Sequence, residues 1–365
     1  MSFQKNHFIK FFVIGLLTLS SCQLSRMIIY NFADINDYKI FPSRPLFKSN
    51  HPFHFYYAKQ FKHPEKINDI PFDKFLEKTK TVAFIVIKND TIQYEKYFHS
   101  YTDSKVVPSF SMAKSITSIL IGCAIDDKLI DSENDAVTKY IPELAKNGFD
   151  KVTIKHLLQM TSGLDFNENY FNPFSDAATF YYGRNIRKRI IHLKLKYPPG
   201  TKFEYNSGNT QLLGLVLERA LKEKSITEYL QEKIWTPLGM EFDASWSIDK
   251  KKNGIEKTFC CINAVARDYA KIGRLYLHKG KWNEQQIVSE KWVEKSIQSD
   301  TTEGSVNYYQ YNWWLPTPGK DFLAEGFLGQ YIYVNPSKNL IIVRLGKKEG
   351  KTNWWKVFRN LASNY

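Results

Sequence analysis

Cysteine is scarce, four residues in a chain of 365. Four thiols cannot make the disulfide framework of a small secreted domain, and the adjacent Cys260 and Cys261 do not readily bridge to one another. The sequence therefore predicts core thiols, with Cys123 on the apolar face of a helix. No apolar run reaches the roughly 20 residues that cross a bilayer as a helix, and no segment repeats. Acids are outnumbered by bases, 37 to 51, for a formal charge of +14. That surplus is scattered and accompanied by no nucleic-acid motif, so it reads as solubility or surface adhesion, with no nucleic-acid partner. Also absent are the His-Glu-x-x-His and paired-cysteine signatures of zinc, a glycine-rich phosphate loop and the Gly-x-Ser-x-Gly elbow of α/β-hydrolases. The sequence thus gives metal, nucleotide and cofactor chemistry no foothold, and no cofactor is expected.

What the chain does have is bulk. With 43% hydrophobic and 15% aromatic residues, it can bury a large core as one or two tightly packed domains. Its start is different in kind: Lys5 and Lys10, then the uncharged run 11–21, then Cys22, a basic segment followed by a short apolar one. Leu19-Ser20-Ser21-Cys22 resembles the bacterial lipobox, in which the cysteine is acylated and becomes the first residue of the mature protein. The resemblance implies a signal peptide over 1–22 and a lipid-anchored protein of the bacterial cell envelope, held to the membrane through Cys22 and facing the periplasm or the surface.

From Ser25 to about Asn68 the chain is aromatic, basic and broken by prolines at 42, 45, 52 and 64, which predicts an extended arm over 23–74. His51, His54 and His63 fall in it and read as surface histidines, because proline-broken loops rarely hold preorganised ligands. From residue 75 the periodicities are clear. Thr81–Ile87 is a continuous apolar run, Asn89-Asp90 a turn, and Ile92–Tyr97 alternates, predicting a hairpin whose first strand is covered on both faces and whose second on one. Strand-like segments return at Asn312–Leu315, Phe322–Gly326, Gln330–Val334 and Leu340–Leu345, before a last helix from Trp354. Helical patterns lie between: after Ser111, at 154–158 where Thr153 can cap, through Leu212–Leu217, and over 263–278. His156 and His192 read as structural. Region 166–200 is aromatic and loop-rich and either lines a cleft or packs on it. Strands at both ends around a helical block predict an α+β fold, with an antiparallel sheet built from both chain ends, flanking helices, and an inserted all-helical lobe over about 112–280. The default site is the cleft between them.

Phe110-Ser111-Met112-Ala113-Lys114 puts a hydroxyl and an amine one turn apart at the mouth of an apolar helix marked by Ile116, Ile119, Leu120 and Cys123. A serine hydroxyl is a poor nucleophile until something takes its proton, and Lys114 is in reach. The helix start also offers free N–H groups to a developing oxyanion. The same tetrapeptide pattern recurs at Ser2–Lys5 and Ser247–Lys250, so context singles out Ser111; a capping serine with a solvated lysine is the plain alternative.

Together with Tyr205-Asn206-Ser207, Gly326-Phe327-Leu328-Gly329-Gln330 and His156–Leu164, that motif resembles the serine β-lactamase and penicillin-binding-protein superfamily. The nearest likeness is its class-C-like branch of esterases, D-amino-acid peptidases and 6-aminohexanoate-oligomer hydrolases, over about residues 75–360. The resemblance implies a serine hydrolase of small esters or amides, with Ser111 acylated and Lys114 and Tyr205 handling protons. A phenol beside a lysine cation has its ionised form favoured and a desolvated lysine its neutral form, so either could take the serine proton. The Ser111 and Phe327 N–H groups become the oxyanion donors, and Ser207, Asp165 and Gly326 the substrate-binding candidates. Two departures stand out. The strand triplet is Ala324-Glu325-Gly326 where the family begins with a cation, and Ser207 stands where its lactamases carry asparagine. A D-alanyl peptidase, a β-lactamase or a cell-wall or β-lactam-binding protein without turnover are the alternatives.

Overall fold

The computed structural model describes residues 30, 32–60, 65–67 and 69–365; Cys22, the signal-like segment and His63 lie outside them. The strands used below are β1 (Ser43–Leu46), β2 (Tyr56–Tyr57), β3 (Thr81–Lys88), β4 (Thr91–Tyr97), β5 (Val107–Pro108), β6 (Ala244–Ser247), β7 (Ile262–Ala264), β8 (Tyr309–Gln310), β9 (Trp313–Thr317), β10 (Asp321–Gly326), β11 (Gln330–Asn335) and β12 (Leu340–Gly346). The helices are α1 (Phe72–Lys78), α2 (Met112–Asp126), α3 (Ser207–Leu221), α4 (Ala266–Leu277) and α5 (Trp354–Ser363).

Both chain ends meet in one eight-stranded sheet, ordered β8-β9-β10-β11-β12-β3-β4-β2. The alternation of the strands explains why it is covered on both faces. Ile85 and Ile87 of β3, Ile332 and Val334 of β11 and Ile341 and Val343 of β12 join the larger core, where α4 packs on β11, β12 and β3. Phe84, Val86, Tyr331, Tyr333 and Ile342 point the other way, against Phe72, Phe75 and Leu76 of α1 and Trp354 and Phe358 of α5. Asn89 and Asp90 both have positive φ, +50° and +57°, the backbone that a two-residue hairpin turn requires. The expected hairpin, the four later strands and the last helix are all present within a residue or two of their predicted ends.

The inserted block carries α2 and α3, which pack on one another. The structure differs from expectation in three places. The block also holds β6 and β7, which with β1 and β5 form a second sheet ordered β1-β6-β7-β5. These strands are two to four residues long, too short for a period to show. Helix α4 belongs to the sheet rather than the helical lobe. The predicted free arm is knitted into the body: β1 pairs with β6, β2 runs parallel to β4, and Ile35, Phe41, Leu46 and Phe55 are buried.

A fourth correction concerns the cysteines. Cys260 and Cys261 are disulfide-bonded to each other, their Cα atoms 3.7 Å apart; the positive φ of Cys261, +74°, turns the chain so that consecutive side chains meet. Cys123 is the buried free thiol expected of it. His156 is likewise structural: its N–H donates to Thr153 Oγ1 at 3.2 Å and its Nδ1 accepts from the Thr153 N–H at 3.1 Å, closing a capping box.

Candidate active site

Ser111 sits where β5 turns into α2. The turn is tied down by its neighbour: Ser109 N–H donates to the Ile262 carbonyl at 2.7 Å, and Ser109 Oγ accepts from Ile262 N–H at 3.1 Å. Phe110 is held at φ +44°, an uncommon conformation for a bulky residue and one that a packed surround must impose. Ser111 occupies the N-cap position yet makes no side-chain capping bond, so the capping alternative falls and its hydroxyl is available to another partner.

That partner is Lys114, which is almost wholly buried. Its Nζ lies 3.0 Å from Ser111 Oγ, 3.1 Å from Ser207 Oγ and 3.1 Å from the Phe259 carbonyl. A neutral amine has two N–H donors and a lone pair. As an ammonium Lys114 donates to all three; as a neutral amine it would keep Ser207 and Phe259 and turn its lone pair to the Ser111 O–H, so the same partners serve both forms. Desolvation pushes the Lys114 ammonium down to about 8, with the Glu168 carboxylate acting in the opposite sense.

Tyr205 closes the other side. Lys114 Nζ is 5.1 Å from its ring centroid, and the ring stacks on Trp314 at 5.4 Å and meets Tyr309 edge-on at 5.8 Å. Burial raises its phenol well above the ordinary range, Glu168 and Glu325 add to the rise, and a hydrogen bond with Ser111 partly offsets it. Burial thus favours the neutral phenol, one of the two assignments that the sequence left open.

Gly326 ends β10 against Ser111. A Cβ there would lie 2.3 Å from the Ser109 carbonyl and 3.1 Å from Ser111 N, so only glycine lets the strand come this close. Phe327 follows it, its ring stacked on Tyr170 at 5.7 Å and edge-on to Phe110 at 5.8 Å. A serine, a desolvated amine, a neutral phenol and a strand end brought up to the serine N–H can together run acyl transfer.

Comparison with known proteins agrees with that chemistry. The beta-lactamase family profile matches residues 72–354. The chain belongs to the beta-lactamase family. It is accordingly a serine hydrolase. A 6-aminohexanoate-dimer hydrolase of Paenarthrobacter ureafaciens is 28% identical over 291 residues, spanning 74% of this chain and 73% of that one. A structure from Bacillus anthracis, described as a 6-aminohexanoate-dimer hydrolase, aligns with a TM-score of 0.78 and 26% identity over 90% of this chain and 92% of that one. A family VIII carboxylesterase shares the fold, with a TM-score of 0.59 at 16% identity over 76% and 89% of the two chains.

In this beta-lactamase-family chain Ser111 and Lys114 come together as their spacing suggested, and Tyr205 and Gly326 join them as the resemblance implied. Ser207 does so in a different sense: fully buried, its hydroxyl turns to Lys114 and donates to Glu168 Oε1 at 2.6 Å, while its N–H donates to Glu168 Oε2 at 2.7 Å. It contacts the lysine rather than an open cleft. Asp165 is exposed and joins Lys194 through its main chain at 2.9 Å; Leu164, bridged to Leu195, turns inward and sends its neighbour out. Asp165 is thus not part of the cluster. Sequence reasoning missed Glu168 and Tyr170, whose hydroxyl bonds Glu168 and lies 3.2 Å from Ser207 Oγ. They lie in a loop shaped by Asn167 and Asn169 side chains accepting main-chain N–H bonds, which leaves no period to read. A surface groove lined by Arg44, Arg187, Glu218 and Lys222 among others contains none of the Ser111 cluster, and its Arg44 and Arg187 are already paired with Glu256 and Glu218.

Proposed function

We propose that this beta-lactamase-family chain hydrolyses small esters or amides through an acyl-enzyme on Ser111. The observation that carries the reading is the buried lysine whose Nζ lies 3.0 Å from Ser111 Oγ. Ser111 Oγ attacks the substrate carbonyl as its proton passes to Lys114 Nζ. The oxyanion is received by the Ser111 and Phe327 N–H groups, an interaction worth about 3 kcal/mol per well-aimed donor. Neutral Tyr205 gives its proton to the departing oxygen or nitrogen and regains one from Lys114. Water then attacks the acyl carbonyl along the same path in reverse. The amide substrate in the relatives' names and the ester substrate in the carboxylesterase's both support this acyl-transfer reading.

The reading places β-lactams outside the preferred substrates. Penicillins and cephalosporins carry a carboxylate, and the position that presents a cation in related lactamases is Ala324, wholly buried. Lys202 packs over Tyr197 and lies 3.9 Å from Glu204, and Arg184 is exposed. Losing one charge-assisted hydrogen bond amounts to roughly a 10- to 150-fold penalty. A fluorophosphonate probe should label Ser111 alone, and Ser111→Ala should abolish both labelling and turnover of p-nitrophenyl butyrate. Turnover of a chromogenic cephalosporin at or above that of the ester would sink the preference. A single acylation burst with no steady state would favour a binding protein without turnover.

We further propose anchoring at the bacterial envelope through an acylated Cys22. The Leu19–Cys22 motif supports it, as does the Cys260–Cys261 disulfide, a bond that persists in oxidising compartments. Cys22→Ser should release the protein from the membrane fraction; wild type recovered unmodified and soluble would contradict the proposal.

A further inference from the structure

Beside Ser111 opens a slot whose walls are aromatic almost throughout, among them Phe110, Tyr170, Tyr181, Phe259 and Phe327. Its enclosed part is narrow, with room for about 30 Å³, and the rest lies open to solvent; among the described residues no charged side chain lines it. We propose that this slot receives the acyl portion of the substrate and is built for an uncharged apolar group with a flat or aromatic end, excluding acyl groups that end in a charge. The proposal rests on Ser111 being the nucleophile and names the substrate class of that site.

Which half of the substrate enters follows from position. Ser111 and Phe327 line the slot and Tyr205 does not. The phenol that serves the leaving group therefore stands outside, and the slot is left to the carbonyl's other substituent. The walls come in near-parallel pairs, Tyr170 with Phe327 at 5.7 Å and Phe110 with Tyr181 at 6.4 Å, at interplanar angles of 23° and 21°. Flat faces of this kind favour a flat apolar guest.

The polar ends of the wall residues are turned outward. Tyr170 spends its hydroxyl on Glu168 and Ser207, and Tyr181 donates to Asp37 Oδ2 at 2.8 Å. Both carboxylates that those hydroxyls meet are engaged: Glu168 by Ser207 N–H and Oγ, Asp37 also by Asp34 N–H. An ammonium entering the slot would lose water and gain no free counter-charge, which is strongly unfavourable. The acyl half of a 6-aminohexanoate dimer ends in such an amine, so this chain is expected to part company here with the relatives of that name. At the mouth stand Phe32 and Phe171, 52% and 66% exposed, with ring centroids 5.6 Å apart, extending the apolar surface outward.

The test is a series of p-nitrophenyl esters, acetate, hexanoate, 6-aminohexanoate and 3-phenylpropionate, each kcat/KM divided by the rate of alkaline hydrolysis. Hexanoate should exceed 6-aminohexanoate, which adds a terminal amine to the same chain, by about tenfold or more, and 3-phenylpropionate should match or exceed hexanoate, mainly through KM. Phe171→Ala, at an exposed position, should lower the ratio of 3-phenylpropionate to acetate. Equal rates for hexanoate and 6-aminohexanoate, both lost in Ser111→Ala, would overturn the slot assignment while leaving the nucleophile standing. A second series with one acyl group and varied alcohols separates the two halves of the substrate; selectivity that follows the alcohol instead would also overturn it. No turnover of any ester would take down the slot together with the reading it rests on.

Discussion

A lysine that accepts a proton from serine must be neutral in a useful fraction of molecules, and burial is what supplies that fraction. Lys114 is pushed down to about 8, whereas Tyr205 moves further out of range as a base. The groups facing Lys114 are the Glu168 carboxylate, the Ser207 and Ser111 hydroxyls, the Phe259 carbonyl and the Tyr205 ring. The kcat/KM for an activated ester should therefore rise about tenfold per pH unit well below 8 and level off above it. Glu168 favours the ammonium, so Glu168→Gln should move that limb toward acid; a limb that stays put or moves toward alkali would show that Glu168 does not govern the lysine. Of these residues Ser111 and Lys114 were legible because a helix fixes what lies one turn away, and Tyr205 only through the family resemblance. Glu168, Tyr170 and the Phe259 carbonyl were not, since loop geometry and a main-chain acceptor leave no mark on residue spacing.

At the scale of elements the site depends on a strand end meeting a helix mouth. Gly326 permits it, because any side chain there must push β10 away from the Ser109 carbonyl, which is main chain and cannot step aside. Gly326→Ala should cost on the order of 100-fold in kcat, the scale of losing one oxyanion donor, with far less change in KM; retention of kcat would show that the oxyanion is received elsewhere. Long elements were readable in advance: the double-sided burial of β3, the alternation of β4 and the four strands after residue 312 all follow from period. The small sheet was not, since two- to four-residue strands such as β5 and β7 carry no period, and the Cys260–Cys261 bond turns on one backbone angle. The unreduced peptide holding both cysteines should weigh about 2 Da less than its reduced form, two hydrogens lost per disulfide; two alkylatable thiols in the unreduced protein would refute the bond.

For the molecule as a whole the main open point in the sequence was the N-terminal segment, which reads as a loose arm and folds as part of the body. Its prolines misled because Pro45 lies on β1, an edge strand paired on one side only, with β6, where a missing N–H is tolerated. Four buried apolar side chains, Ile35, Phe41, Leu46 and Phe55, contribute roughly 1.5–3 kcal/mol each, comparable in sum to the ~5–15 kcal/mol by which a domain is stable. The segment also supplies Arg44, 2.6 Å from Glu256, a carboxylate that receives Thr227 N–H and Oγ at 3.0 and 2.7 Å and would be left buried without its cation. A chain beginning at residue 58 should therefore fail to fold or melt far below one beginning at residue 30, and should lose ester turnover with its fold. Arg44→Ala alone should lower the melting temperature by several degrees while keeping turnover in what remains folded. Melting curves of the two shortened chains decide the matter, and equal melting temperatures would show that the segment is the accessory arm its prolines suggest.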